Sequence, residues 1–417
     1  MPEYFILKIM EEKENQRNNL PHLVLNFDIN KTVILKDKTK NYGFESCVKS
    51  CLVDYAWGTF DESKKSWTLT ENYLSHKKPK PELINYYKYM KIVYKSKTEK
   101  EIPDREERMK KNKEIKAFKD NLFLHFLDEG QPGEKLQGIY NEYLKKVKIP
   151  KDVMNEINKE NSIYPSFFKE LYENDYIFIF PSLFRTMIEL KSQNRIFTII
   201  FRTFGLDFDD VIKEYNSFCE GKHPLFNGLN EKYPNIKFNG ENGSKDYCIQ
   251  EKNIGIIYRF DENIDNIYLV LGCLKRIFEI KTPDELYTHY KDRIGKGEVN
   301  IIKGGKEIFE FINKNATEGK LNSFCINDHY DTWYKYDKKS TCGKPMFIDT
   351  DNKNVEVFFF DDNITQDEFS IVDSRNIKNG KSIVDKNIKD KYLIDVDTLK
   401  ATEDEYYFIN KIKQAEK

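Results

Sequence analysis

Short apolar runs that close on polar reactive groups recur along the chain. Residues 23–27 (LVLNF) end in Asp28-Ile29-Asn30-Lys31-Thr32, residues 196–201 (IFTIIF) in Arg202-Thr203, and residues 355–360 (VEVFFF) in Asp361-Asp362. A run that is apolar at nearly every position predicts a strand buried on both faces of a parallel sheet. Residues 254–258, 322–326 and 345–349 predict further short strands. Helical periodicity lies between them. In 46–57, Val48, Cys51, Leu52 and Tyr55 share a face; 180–191 is amphipathic with Ser182 as cap; 207–219 and 307–313 follow the same spacing. Residues 60–80 read as polar connectors, 81–147 as a charged, aromatic-rich helical stretch, and 221–255 as loop. Helices alternating with apolar strands predict an α/β fold with a parallel sheet.

Composition narrows the class. The 417 residues carry 68 basic and 69 acidic side chains, a net charge of −1. That balance argues against coating nucleic acid or an anionic membrane. With 30 Phe and 26 Tyr, a packed core is expected in spite of 33% charged residues. No apolar run approaches the roughly 20 residues of a membrane span. The start, MPEYFILKIMEEKEN, lacks the basic head and longer apolar stretch of a secretory signal. Seven scattered cysteines without a CxxC pair or zinc spacing point to a reduced, cytoplasmic protein.

In an open α/β sheet the reactive crevice lies at the carboxyl ends of the strands. The three strongest strands end in Asp28 and Asn30, in Arg202 and Thr203, and in Asp361 and Asp362. Taken singly, each end has an ordinary reading: an acid capping a turn, a threonine satisfying backbone, a surface acidic pair. Taken in order, they resemble the motifs of the haloacid dehalogenase (HAD) superfamily of phosphotransferases. Its first motif, a strand followed by Asp-x-Asp-x-Thr/Val, is similar to LVLNF-Asp28-Ile29-Asn30-Lys31-Thr32-Val33. Thr203 stands at its second motif, and Asp361-Asp362, with Asp367 a little further on, at its fourth. The third motif is a lone lysine upstream of the fourth, here Lys344, with Lys338 and Lys339 as rivals.

The resemblance implies a Rossmann-like core with cap insertions and a Mg²⁺-dependent phosphatase that works through an aspartyl-phosphate. In that scheme Asp28 is the nucleophile. Asp28, the main-chain carbonyl of Asn30 and Asp362 hold Mg²⁺, while Asp361 and Asp367 hold its waters. Thr203, Thr32 and Lys344 bind the phosphoryl group. Arg202 either grips substrate phosphate or pairs with a core acid. Magnesium prefers such oxygen ligands, and charge neutralisation is what lets a carboxylate attack an anionic ester. The substrate would be a phosphorylated small molecule or a phosphoprotein.

One position departs from the motif. Asn30 stands where the phosphatases carry their general acid, and an amide cannot lend a proton at neutral pH. General acid–base help is typically worth about 10²–10⁴-fold, so alkyl esters would suffer most. Aryl phosphates, phosphotyrosine among them, or acyl phosphates would suffer less because their leaving groups depart more easily, a phenol having a pKa of about 10. A catalytically silent binding or scaffold protein on the same fold is the alternative.

The domain reading assigns 1–45 to the core, 46–175 to a mainly helical cap, 176–220 to the core, 221–300 to a second insertion, and 301–417 to the core with a C-terminal extension. Gly304-Gly305-Lys306 lacks the full phosphate-loop spacing and is set aside. His329, after the strand at 322–326, reads as a satisfied structural histidine.

Overall fold

A computed structural model describes residues 20–226, 236–273, 279–319, 321–364, 370–383 and 385–416. In chain order its strands are β1 (His22–Asp28), β2 (Trp57–Asp61), β3 (Ser66–Leu69), β4 (Ile84–Asn85), β5 (Phe197–Thr203), β6 (Ile254–Arg259), β7 (Ile267–Leu271), β8 (Asn300–Lys303), β9 (Ser323–Asp328), β10 (Lys344–Ile348), β11 (Val355–Asp361), β12 (Val372–Asn376) and β13 (Leu393–Asp395). The chain divides into two compact units, one of Met1–Ile34 with Pro150–Lys417, the other of Leu35–Ile149.

The larger unit is mixed α/β around a mainly parallel sheet. Its eight strands lie in the order β13-β11-β1-β5-β9-β6-β7-β8. The run from β13 to β6 is parallel, and β7 and β8 join antiparallel at one edge. β1 and β5 are buried along their whole length, as their largely apolar sequences lead one to expect. On one face Val24, Ile200, Phe324, Ile326, Val357 and Phe359 form a cluster that also takes in Met346 and Phe347 of β10. On the other, Phe27 stacks on Phe360 at 4.7 Å, and Phe408 of the helix Tyr407–Ala415 packs edge-on at 5.1 Å. From β1 the chain builds β5 on one side and returns to place β11 on the other. That reversal marks the crevice above β1 as the favoured ligand position in a parallel sheet.

Two sequence expectations need correction in this unit. Residues 221–300, read as a second insertion, supply β6 and β7, which extend the main sheet next to β9. The strands expected in 236–275 as part of that insert are present, but β7, an apolar run of five buried residues, pairs antiparallel with β6 in the main sheet. Ser182 does not cap its helix: Pro181 occupies the first turn of Pro181–Ser192, and Ser182 Oγ donates to the Ala401 carbonyl at 2.6 Å.

In the smaller unit β2 pairs antiparallel with β3 and β4, so residues 60–80 are not simple connectors. Asp61 Oδ1 accepts from the Ser63 and Lys64 amides at 2.9 and 3.2 Å, which turns the chain into β3. Trp67 of β3 then packs on Tyr86 at 5.1 Å and near Phe126 at 6.2 Å. The helices Phe44–Tyr55, Tyr86–Val93, Arg105–Leu124 and Gln137–Lys146 make up most of the remainder. No described helix is long and apolar enough to cross a membrane.

Candidate active site

Sheet register brings the acids together. Phe27 pairs with Phe360 across β1 and β11, so the next residue of each strand, Asp28 and Asp361, comes side by side at the carboxyl edge. The two-residue period of the strand puts both on the face that carries Val24 and Phe359. Asp362 follows in the turn, and its amide donates to Thr32 Oγ1 at 3.2 Å. Thr32 is fully buried, so its hydroxyl ties the loop after β1 to the end of β11. Asp28, Asp361 and Asp362 each offer a carboxylate oxygen within 4.8 Å of the others.

Lys344 opens β10, which pairs with β12 outside the main sheet. Its Nζ donates to Asp28 Oδ1 and, at 2.8 Å, to Asp361 Oδ2. This selects Lys344 over Lys338 and Lys339 as the lysine that meets the acids. Asp361 Oδ1 accepts from the Asn363 amide at 2.9 Å. Burial pushes the Asp28 carboxyl up to about 7; the Lys344 ammonium opposes that rise and the charge of Asp361 adds to it. Asp362 is held well above the ordinary carboxylate range by burial, then by Asp361 and Asp28. Burial alone would lower Lys344, but Asp28, Asp361 and Asp328 outweigh it and hold the ammonium above its ordinary value. Three acids around one ammonium leave the cluster short of positive charge.

Asn30 and Thr203 meet beside this cluster. Thr203 follows Arg202, the register partner of Asp28, and its Oγ1 lies 3.5 Å from Asn30 Oδ1. The Asn30 amide nitrogen donates to Asp207 Oδ2 at 2.8 Å. Asp207 is fully buried and precedes the helix Phe208–Cys219, yet its side chain makes no capping bond. Gly205 holds this arrangement open. A Cβ there would sit 2.9 Å from Asn30 Oδ1 and 3.2 Å from Thr203 Oγ1. The residue cannot simply retreat, since its amide donates to Thr203 Oγ1 and its carbonyl accepts from Asn327 Nδ2, both at 2.8 Å.

Arg202, one candidate for gripping phosphate, takes its other role and pairs with a core acid. Its Nε and Nη2 donate to the two Asp328 oxygens at 3.0 and 2.5 Å, and Nη1 donates to the Pro345 carbonyl at 3.1 Å. Only 4% of the residue is exposed. Arg202 stands on the same face of the sheet as the acids, and burying an unpaired guanidinium there would be costly, so Asp328 neutralises it. His329 is structural as expected, with Nδ1 2.7 Å from the Arg259 carbonyl. Asp367 lies outside the described residues. Sequence reading placed Asp328 with His329 at the crevice edge but gave it no role, and took Asp207 only as a helix start; Asp328 ends β9 as Asp28 ends β1.

The donor set suits a hard divalent cation. Three carboxylates, two of them buried, supply oxygen ligands only, and a cation among them would offset both the burial and the mutual repulsion that raise Asp28 and Asp362. Asp28, Asp361 and Asp362 are the side chains that could hold it, with Lys344 bonded to the first two. The comparisons with known proteins add no family to this picture: no family model, no curated protein and no solved structure matches the chain.

Proposed function

We propose that the chain is a Mg²⁺-dependent phosphomonoesterase resembling the HAD superfamily, with Asp28 as nucleophile. The observation that carries this reading is the meeting of Asp28, Asp361 and Asp362 within 4.8 Å at the crevice above β1, with Lys344 bonded to two of them. Two facts support it further. The strand order reverses at β1, and the Leu35–Ile149 unit enters the sequence between the first and second motifs, where that superfamily carries its caps.

Bound there, Mg²⁺ supplies positive charge to the phosphoryl oxygens and to the nucleophile. Asp28 would attack phosphorus; the ester oxygen leaves with the bonding electrons and takes a proton from solvent. Water then attacks the aspartyl-phosphate, releasing phosphate and regenerating Asp28. Thr203 would donate its hydroxyl to a phosphoryl oxygen, and Lys344 offsets the charge that builds on Asp28 and the phosphoryl group. The Asn30 main-chain carbonyl and Asp367 complete the cation's surroundings as the resemblance implies. Asn30 brings no acidic proton, so aryl phosphates such as phosphotyrosine are the favoured class. All seven cysteines keep their thiols, in keeping with a cytoplasmic setting.

A silent phosphate-binding protein is the second reading, and the Asn30–Asp207 bond favours it, because the amide is committed to a buried acid. Turnover of p-nitrophenyl phosphate with Mg²⁺, its loss with EDTA and its loss in Asp28→Asn establish the enzyme. Absence of turnover with cation still bound establishes the silent protein.

A further inference from the structure

β5 runs out through Thr203 into Phe204, and the helix Tyr330–Lys335 starts just beyond the end of β9. Phe204 and Trp333 stack at 5.3 Å with their planes 14° apart. Tyr330 stands edge-on to both, at 5.6 Å from Phe204 and 5.9 Å from Trp333. All three rings are half-buried. They form an aromatic wall at the same carboxyl edge of the sheet as the acids. The wall is anchored close to the reacting group, because the Phe204 ring centre lies 5.3 Å from Lys344 Nζ, the ammonium bonded to Asp28.

A second observation concerns Trp333. Its indole Nε1 is buried with no acceptor among the described residues. A buried donor without a partner is uncommon in a finished core, and it is accounted for if a bound molecule supplies the acceptor.

We propose that Phe204, Tyr330 and Trp333 form the leaving-group subsite, and that its occupant is an aryl ring joined to phosphate through a single oxygen. The proposal rests on the reading of Asp28 as nucleophile. Aromatic rings attract one another in stacked and edge-on arrangements with centroids 4.5–7 Å apart. A ring one oxygen from phosphorus stays within that reach of Phe204, whereas a base separated from its phosphate by a sugar extends past it. The wall and Asn30 therefore select the same substrate by separate physics. Asn30 withholds the proton that a poor leaving group needs, and the rings hold the leaving group that needs it least.

The test uses the full chain with Mg²⁺ and reads binding and turnover separately. Phenylphosphonate, which is not hydrolysed, should quench tryptophan fluorescence saturably, and propylphosphonate should not. Since Trp57 and Trp67 also emit, the quench is assigned by its loss in Trp333→Phe. In turnover, Phe204→Leu and Trp333→Leu should raise KM for phenyl phosphate about tenfold while moving propyl phosphate by less than about twofold. A phosphotyrosyl peptide run beside phenyl phosphate separates a protein side chain from a small phenolic ester; dependence on the wall in either supports the proposal. Equal quenching by the two phosphonates, or equal losses on phenyl and propyl phosphate, overturns it. If wild type shows no turnover sensitive to Asp28→Asn, the nucleophile reading fails, and the fluorescence arm still decides the wall.

Discussion

Nζ of Lys344 lies 2.8 Å from Oδ2 of Asp361, and the two residues are only 1% and 0% exposed. The same ammonium reaches Asp28 on the neighbouring strand. Removing one partner of a buried ion pair leaves a charge without compensation, a loss of about 3–5 kcal/mol. Lys344→Met should therefore lower unfolding stability in urea by roughly that amount and abolish turnover. Adding Asp361→Asn should recover part of the stability, because neighbours in one network are not additive. If the single and double variants unfold alike, the ammonium is not what holds the two strand ends together.

Cation binding should be visible without any substrate. A ligand held by the native state alone stabilises it, by about 2.7 kcal/mol at a hundredfold excess over Kd. Mg²⁺ should raise the Tm of the wild type, and Asp362→Asn should abolish the shift. Asp362→Asn should also leave the metal-free protein at least as stable as wild type, because burial and the neighbouring acids already disfavour its charge. An undiminished Mg²⁺ shift in this variant would remove Asp362 from the cation site.

The pairing of Asn30 with Asp207 sets the outcome of restoring the motif. Asn30→Asp alone would place a carboxylate 2.8 Å from the Asp207 oxygen, and two acids so close hold a single proton between them. Exchanging both, Asn30→Asp with Asp207→Asn, returns an amide donor to the pair and an acid to position 30. On an alkyl phosphate the exchanged protein should exceed the single variant, and general acid help sets the ceiling at about 10²–10⁴-fold over wild type. On phenyl phosphate the gain should be smaller. Equal gains on both esters would show that proton donation does not limit turnover.

The strand ends were legible because a strand buried on both faces must turn polar where it leaves the core. Asp28, Thr203 and Asp361 are all such exits. The lysine was legible only as one of three candidates; the entry of β10 over the sheet face at Lys344, seen in the structure, selects it. Arg202 shows the limit from the other side. A cation beside Thr203 looks like a phosphate clamp in the sequence, and only the register of β5 against β9 brings Asp328 into its plane. Asp207 and the Phe204–Trp333 stack were hidden for the same reason, as contacts between segments 177 and 129 residues apart. β2 and β3 were obscured by the polar turn that joins them at Asp61 to Lys65.

His22 is a buried histidine whose charging should weaken the fold in acid. His22, at the start of β1, is 4% exposed, and its Nε2 lies 3.0 Å from Thr198 Oγ1 of β5. Burial, and then the charge of Lys245, lowers its pKa from 6.5 to about 4. Above pH 6.5 the imidazole is neutral in both the folded and the unfolded chain and contributes nothing to the pH dependence. Between pH 6.5 and about 4 the unfolded chain takes up a proton that the native state refuses, so unfolding is favoured as pH falls. At 1.36 kcal/mol for each unit of pKa difference, the loss across that window is about 3 kcal/mol. Urea unfolding from pH 7 to pH 4 should show this decline. His22→Gln, whose amide can still meet the Thr198 hydroxyl, should flatten it; a variant curve parallel to wild type would assign the acid sensitivity to other groups.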